Sequence, residues 1–227
     1  MQYKNITYGK FISRPNRFIG IVEIDGVCQT VHIKNTGRCK ELLVTGNKVI
    51  LVPSDNPHRK TKYDLISVYK KDNLLINMDS FLPNVAVEEW LPKSLLFSDK
   101  AEIKREVTYG NSRFDLFVTD GDRKAFIEVK GVTLEENMHC RFPDAPTDRG
   151  VKHIRELIRC VKDGYEAYII FVIQMKGALS LSPNIKTHPE FGAALREAAN
   201  SGVKILAYDC EVAPDKVEIC SPVPVIL

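Results

Sequence analysis

Asp115 and the triplet Glu128-Val129-Lys130 are the residues of this 227-residue chain whose types and spacing could do chemistry. Side chains alternate along a strand. Phe114, Leu116 and Val118 are therefore expected on one face of one strand, with Arg113, Asp115 and Phe117 on the other. In the next strand, Ile127 and Val129 point to the core, while Phe126, Glu128 and Lys130 share the opposite face. A turn at Asp120-Gly121-Asp122 lets the two strands pair and brings Asp115 within reach of Glu128. Two carboxylates held close repel each other unless a cation sits between them, which suits a hard divalent ion. Mg²⁺ (or Mn²⁺) keeps several waters, so Asp115, Glu128 and the main-chain carbonyl of Val129 would suffice as protein ligands. Lys130 would then lie beside a metal-bound water, placed to orient the attacking hydroxide and to stabilise charge on a phosphate. The plainer alternative is a solvated Asp115 and a same-face ion pair between Glu128 and Lys130.

Those strands need neighbours. Residues 1 to about 80 read as successive short strands: Phe18–Ile24, the turn Asp25-Gly26, Val27–Ile33, Asn47–Val52, Leu65–Tyr69 and Leu74–Asn77. Five such strands suggest a small β-barrel of the OB type, with residues 1–82 as one domain. A boundary near Pro83-Asn84 opens a second domain, 83–227, with a different rhythm. Val85–Leu91 reads as a helix limited by Pro92. Strands at Glu106–Tyr109, Arg113–Val118 and Lys124–Lys130 follow, then a helix from Thr147 to Lys162 stopped by Gly164. Tyr165–Gln174 is a nearly continuous apolar strand, as expected in a sheet covered on both faces. A helix from Pro189 to Ser201 and a strand from Val203 to Tyr208 complete an α/β domain.

Further polar groups surround this frame. The loop from Arg141 to Gly150 holds Asp144, Asp148 and Arg149, and Thr147 or Asp148 is an expected N-cap. Arg149, Lys152 and His153 lie on the first turns of the following helix, where a phosphate can be held. Gln174 ends the apolar strand, placed either to touch a ligand or to satisfy backbone. In the first domain, the Asn35-Thr36-Gly37-Arg38 loop and the basic loop Pro57–Lys62 offer Arg38, Arg59, Lys60 and Lys62 for phosphate contact, as Arg113 does in the second. Solvated turns are the alternative. Phe11, Phe18 and Tyr63 are better explained by core packing than by base stacking.

Composition sets outer limits. Hydrophobic residues make up 44% and charged residues 27%, an ordinary globular balance. Net charge is +3, so polyanion binding must come from local clusters. The six cysteines form no CxxC pair, and reduced thiols are expected. The first residues open no apolar run, and the longest, Ala167–Ile173, is too short to cross a bilayer. A cytoplasmic protein without a membrane partner is expected.

Taken together, these motifs resemble the sugar fermentation stimulation protein A family over essentially the whole chain. The resemblance rests on His32-Ile33-Lys34-Asn35-Thr36-Gly37, Ser112-Arg113-Phe114-Asp115, Glu128-Val129-Lys130 with Thr133-Leu134, and Phe142-Pro143-Asp144-Ala145 through Arg149-Gly150 to Lys152-His153. It implies an N-terminal OB-like β-barrel, an α/β domain of the PD-(D/E)xK nuclease type, and DNA binding, with nuclease activity proposed for the family but not uniform in it. Asp115, Glu128 and Lys130 occupy the nuclease motif. Glu89 matches the place where that superfamily often carries a further acid. Two positions depart from the pattern: His188 stands where an Asp before Pro189 is expected, and Arg38-Cys39 follows Gly37 where some relatives carry Ser-Met.

The leading expectation is a Mg²⁺-dependent phosphodiesterase on DNA or RNA, its first domain holding the strand and its second cutting it. The alternatives are a non-catalytic nucleic-acid-binding regulator of sugar-utilisation genes and, more remotely, a small-molecule phosphate enzyme. A homodimer is left open.

Overall fold

Strand β1 (Thr7–Asn16) was not expected from the sequence, yet it is the centre of the first domain. The computed structural model describes residues 1–35, 37–54, 56 and 58–227; Thr36 of the Asn35–Arg38 loop and Pro57 of the basic loop fall outside them. β1 pairs with β2 (Ile19–Ile24), which continues through the Asp25-Gly26 turn into β3 (Val27–Ile33). Asp25 and Gly26 both have positive φ, 49° and 78°, as a two-residue hairpin of this hand requires. β4 (Lys48–Pro53) takes the other edge of β1, and β5 (Tyr63–Tyr69) pairs with β4. Parallel pairs His32–Asp64 and Ile33–Leu65 then join β3 to β5 and close a five-stranded barrel. Phe11, Val22, Val31, Leu51 and Leu65 fill it. The barrel is thus the OB-like one expected, but with β1 in it. The strand read at Leu74–Asn77, β6 (Leu75–Asn77), is an addition on β5.

Helix α1 (Leu82–Trp90) begins earlier than expected, because Pro83 sits in its first turn, where a missing N–H costs nothing. Leu82, Ala86 and Val87 are buried, with Leu91 in the short 3₁₀ turn that follows. Next come β7 (Glu102–Tyr109), β8 (Ser112–Asp120) and β9 (Arg123–Val132), an antiparallel meander. The two-residue β10 (Glu135–Glu136) and β11 (His139–Phe142) form a small sheet with β13 (Ser180–Pro183). Helix α2 (Asp148–Lys162) lies between β11 and β12 (Glu166–Ile173). Helix α3 (Pro189–Asn200) leads to β14 (Lys204–Ala213) and a final strand absent from the sequence reading, β15 (Lys216–Pro222). The main sheet runs β15-β14-β12-β9-β8-β7, with β9, β12 and β14 parallel. α1 covers one face. α2 covers the other, burying Val151, Ile154, Leu157 and Ile158 while Lys152, Arg155 and Arg159 face water. Thr147 caps α2 by accepting the Gly150 N–H at 3.1 Å, and Gly164 ends it at φ 87°. Among the described residues no helix is long and apolar enough to cross a membrane, and all six cysteines are free thiols.

The starts of the three parallel strands are tied together at Glu166. Its carboxylate accepts from Arg123 Nε at 2.6 Å, Lys204 Nζ at 2.8 Å and Tyr168 Oη at 2.6 Å. Hydrogen bonding from Arg123, opposed by burial and helped by Lys204 and Tyr168, holds this carboxyl far below the usual range. A depressed carboxylate stabilises the fold above its unfolded pKa of about 4.3 and loses that contribution as pH falls further. Glu166→Gln is therefore expected to lower the thermal midpoint at neutral pH, with the gap to wild type shrinking in acid. A gap that stays constant down to about pH 3 would contradict this linkage.

The domains are in close contact. Met1 to Tyr3 leave the barrel and lie along the second domain, Gln2 bridging to Lys216 and the Tyr3 N–H donating to Asp215 O at 2.7 Å. The boundary expected at residue 82 falls in the first turn of α1, and it does not part the first residues from the second domain.

Candidate functional site

Asp115 lies where the regular ladder fails on both sides. β8 pairs with β9 only as far as Leu116–Ile127, and its ladder with β7 skips the position of Glu106, a non-glycine residue at φ 54°. Alternation breaks here too. Phe114 and Phe117 both pack on Phe126, at 5.4 and 4.7 Å between ring centroids, on the α2 side. Leu116 and Val118 join the α1-side core. The expectation that Phe114, Leu116 and Val118 share a face is thus corrected: the chain kinks at Asp115. The kink lets the carboxylate replace a ladder partner, Oδ2 accepting the Val129 N–H at 2.8 Å. Oδ1 accepts from Asn84 Nδ2 of α1, also at 2.8 Å. In an extended strand the N–H and C=O of one residue point the same way, so the Val129 carbonyl turns to this edge as well.

Glu128 is 3% exposed, on the β9 face covered by α2. Its Oε1 is shared by Lys130 Nζ and by His153 Nδ1, the latter at 2.5 Å. Its Oε2 is buried with no hydrogen-bond partner among the described residues. An ionised carboxylate only accepts, so His153 carries its proton on Nδ1. Arg149 Nε, 3.4 Å from His153 Nε2, suits the same tautomer. Burial pushes Glu128 up, but the hydrogen bond from His153 and the charge of Lys130 outweigh it, and the pKa is lowered. Asp115 is raised, by burial and then by the charge of Glu128, against the Val129 and Asn84 hydrogen bonds. One carboxylate is therefore held ionised beside a second that its charge penalises.

These atoms fit a hard cation. An orphaned buried carboxylate oxygen and a carboxyl raised by its neighbour are both relieved by positive charge between them. Among the described residues no group of three or more His, Cys, Asp or Glu gathers as a ligand set. An ion here would use two carboxylates, the Val129 carbonyl and water, which is the manner of Mg²⁺.

The other expected residues divide. His153 and Arg149 are at the site. Glu89 is not: it pairs with the N-terminal amine at 2.5 Å, and Asn84 is the α1 residue that reaches Asp115. Gln174 is 1% exposed and donates to Asn77 Oδ1 and Asp79 O, so it satisfies backbone and joins the domains. Gly131, next to Lys130, permits this approach, since a Cβ there would stand 2.6 Å from Gln174 Oε1 and 2.7 Å from Pro83 Cγ. Asp144 accepts the Arg38 N–H at 2.9 Å and fixes the barrel loop, leaving the Arg38 side chain exposed. Arg59 is engaged by Asp64, Thr61 and Ser54; Lys60 and Lys62 are exposed. Arg113 is exposed and pairs with Glu106 at 3.3 Å. His188 accepts the Thr147 N–H on Nδ1 at 3.1 Å, tying the starts of α2 and α3. Sequence reasoning missed Asn84 and also Arg14, whose guanidinium bonds the carbonyls of Arg17, Asn35, Gly37 and Arg38.

A family model described as the sugar fermentation stimulation protein RE domain matches residues 81–216, and one described as the SfsA N-terminal OB domain matches residues 12–78. The chain belongs to the SfsA family. A sugar fermentation stimulation protein homolog of Clostridium beijerinckii is 56% identical over 227 residues, all of both chains. One from Desulfitobacterium hafniense is 58% identical over 218 residues, 96% of this chain and 95% of the relative. The solved structure of Pyrococcus furiosus SfsA in complex with Ca²⁺ superposes with a TM-score of 0.90 at 29% identity, covering 100% of this chain and 98% of that one. This SfsA chain therefore pairs an OB barrel with an α/β domain across its full length.

Proposed function

We propose that this SfsA protein is a divalent-metal-dependent phosphodiesterase that cleaves DNA or RNA in the cytoplasm, with its second domain acting as a PD-(D/E)xK nuclease. The observation that carries the reading is Glu128 Oε2, buried and without a hydrogen-bond partner among the described residues, on a carboxylate whose Oε1 pairs with Lys130 and whose charge raises Asp115. Asp115, Glu128 and the Val129 carbonyl would hold Mg²⁺ or Mn²⁺. When bound, the ion supplies charge neutralisation at the phosphate and a water more easily deprotonated. Lys130 then leaves its ion pair to meet phosphate oxygens, while His153 keeps Glu128 in place. The Ca²⁺ in the Pyrococcus furiosus relative supports a hard-ion site in the family.

Incubation of the full chain with single- and double-stranded DNA and with RNA, in Mg²⁺, Mn²⁺ or EDTA, tests this. Cleavage is expected with Mg²⁺ or Mn²⁺ and none in EDTA; cutting that survives EDTA would rule out the metal. A second reading, a nucleic-acid-binding regulator without turnover, is favoured by one observation: Lys130 is already committed to Glu128. Salt-sensitive binding with no cut product under any metal would select it.

A further inference from the structure

Two exposed aromatic rings belong to the barrel and to the segment that joins it to α1. Phe81, immediately before α1, is 68% exposed, and Lys34 Nζ lies 5.6 Å from its ring centroid. Phe18, just before β2, is 43% exposed and not packed in the core as expected, and the Arg17 guanidinium lies 4.7 Å from its centroid. Single exposed apolar residues are common on proteins and need no explanation. Each of these rings is paired with a cation, as exposed Tyr8 is with Lys48, but these two are also tied to one another through the backbone. The Phe18 carbonyl accepts the Ile33 N–H at 2.8 Å, which sets Phe18 beside the residue preceding Lys34. Arg14 bonds the carbonyls of both Arg17 and Asn35, at 2.9 Å each, locking the β1–β2 turn to the loop after β3. Lys34 is in turn anchored to Asp79 at 2.8 Å, and the Phe81 N–H donates to Asp79 Oδ1 at 3.0 Å. Phe81 and Asn84 are three residues apart, one turn along α1 and on one side of it, about 5 Å along the axis. Asn84 touches Asp115. A chain of bonds through Arg14, Lys34 and Asp79 thus links the segment of Phe18 to that of Phe81, and α1 continues to Asn84 and Asp115.

We propose that Phe18 and Phe81, each with its cation, are a two-step stacking shelf that leads an unpaired nucleic-acid strand to Asp115 and Glu128. This rests on the nucleic-acid reading above and adds the substrate class: single strands, or strands with extruded bases. A paired duplex hides its base faces, whereas an unpaired strand offers one at every nucleotide, and the exposed Arg17 meets the phosphates.

The test is equilibrium binding of the full chain, with Ca²⁺ replacing Mg²⁺, to a labelled oligothymidine of roughly 15 nucleotides and to a blunt duplex of similar length. Wild type is expected to prefer the oligothymidine. Phe81→Ala is expected to weaken that binding about tenfold and leave duplex binding unchanged, Phe18→Ala to act in the same direction, and Phe81→Trp to restore affinity. Both rings are surface residues, and matched thermal midpoints check that the variants fold. Equal affinity of wild type and both alanine variants for oligothymidine overturns the shelf and leaves the nucleic-acid reading standing. So does an equal loss on duplex and single strand. If wild type binds neither probe, the shelf and the nucleic-acid reading fall together.

Discussion

Lys130→Ala is expected to keep the divalent ion and to lose cleavage by about a hundred- to a thousandfold, the usual cost of removing one donor aimed at developing charge. Lys130 is not among the groups that would hold the ion. Its removal leaves Asp115, the Val129 edge and Glu128 in place, and takes a positive charge away from a cation site. Glu128 keeps its His153 hydrogen bond at 2.5 Å, so its orientation survives. Ion affinity should therefore hold or rise while turnover falls. Glu128→Gln is expected to behave differently. It removes the carboxylate that His153 and Lys130 keep ionised, so ion binding and cleavage should disappear together. Calorimetric titration with Mn²⁺ or Ca²⁺, run beside a cleavage assay on both variants, separates the two outcomes. A Lys130→Ala protein that cuts at the wild-type rate, or one that no longer takes up the ion, would sink the assigned role.

The chemistry-bearing residues were legible because they sit on strands whose pattern is strong. The alternation of β9 correctly grouped Phe126, Glu128 and Lys130 on one face. Asp115 was legible by type but not by placement. Its kink depends on two interrupted ladders and on the Asn84 contact, none of which a period-two pattern encodes. Glu89 misled for a related reason. Acid chemistry suggested it, whereas helix geometry gives the approach to Asp115 to Asn84, a neutral amide that carries no charge signal in the sequence.

The fold shows the same division. α2 and β12 were read within a residue or so, because an amphipathic helix with a Thr cap and a continuous apolar strand are local signals. β1 escaped because Phe11 is its one buried side chain, and register shifts at Ser13 and Asn16 blur any alternation. β15 escaped because its burial is mostly shallow and its pairing with β14 is fixed by tertiary contact. The barrel's type was still recoverable, since β2 to β5 carry enough of its pattern. Its closure was not, because two parallel pairs between β3 and β5 leave no mark in sequence.

The polar junction between the domains should dominate stability. Asp79 is wholly buried, and Lys34, only partly exposed, is its cationic partner at 2.8 Å. The remaining donors are neutral: Tyr3 Oη at 3.2 Å and the Phe81 N–H at 3.0 Å. Burial and the charge of Asp79 raise the Tyr3 pKa, so its hydroxyl remains a donor. Lys34→Ala strands a buried carboxylate without its counter-charge and is expected to cost about 3 kcal/mol. Asp79→Asn with Lys34→Met removes both charges, keeps Oδ1 as acceptor for the Phe81 N–H and sets an amide N–H against Tyr3 Oη, and should cost about 1 kcal/mol. The double variant is thus expected to be more stable than the single one, which urea unfolding of both would show. If Lys34→Ala costs no more than the double variant, water reaches Asp79 and the pair is a surface contact. Asp79 also fixes the backbone of Phe81, and Lys34 leads into the loop held by Arg14. Loss of the pair should therefore loosen the path to the acid pair as well as the fold, so Lys34→Ala should weaken oligothymidine binding more than the exposed Lys60→Ala does.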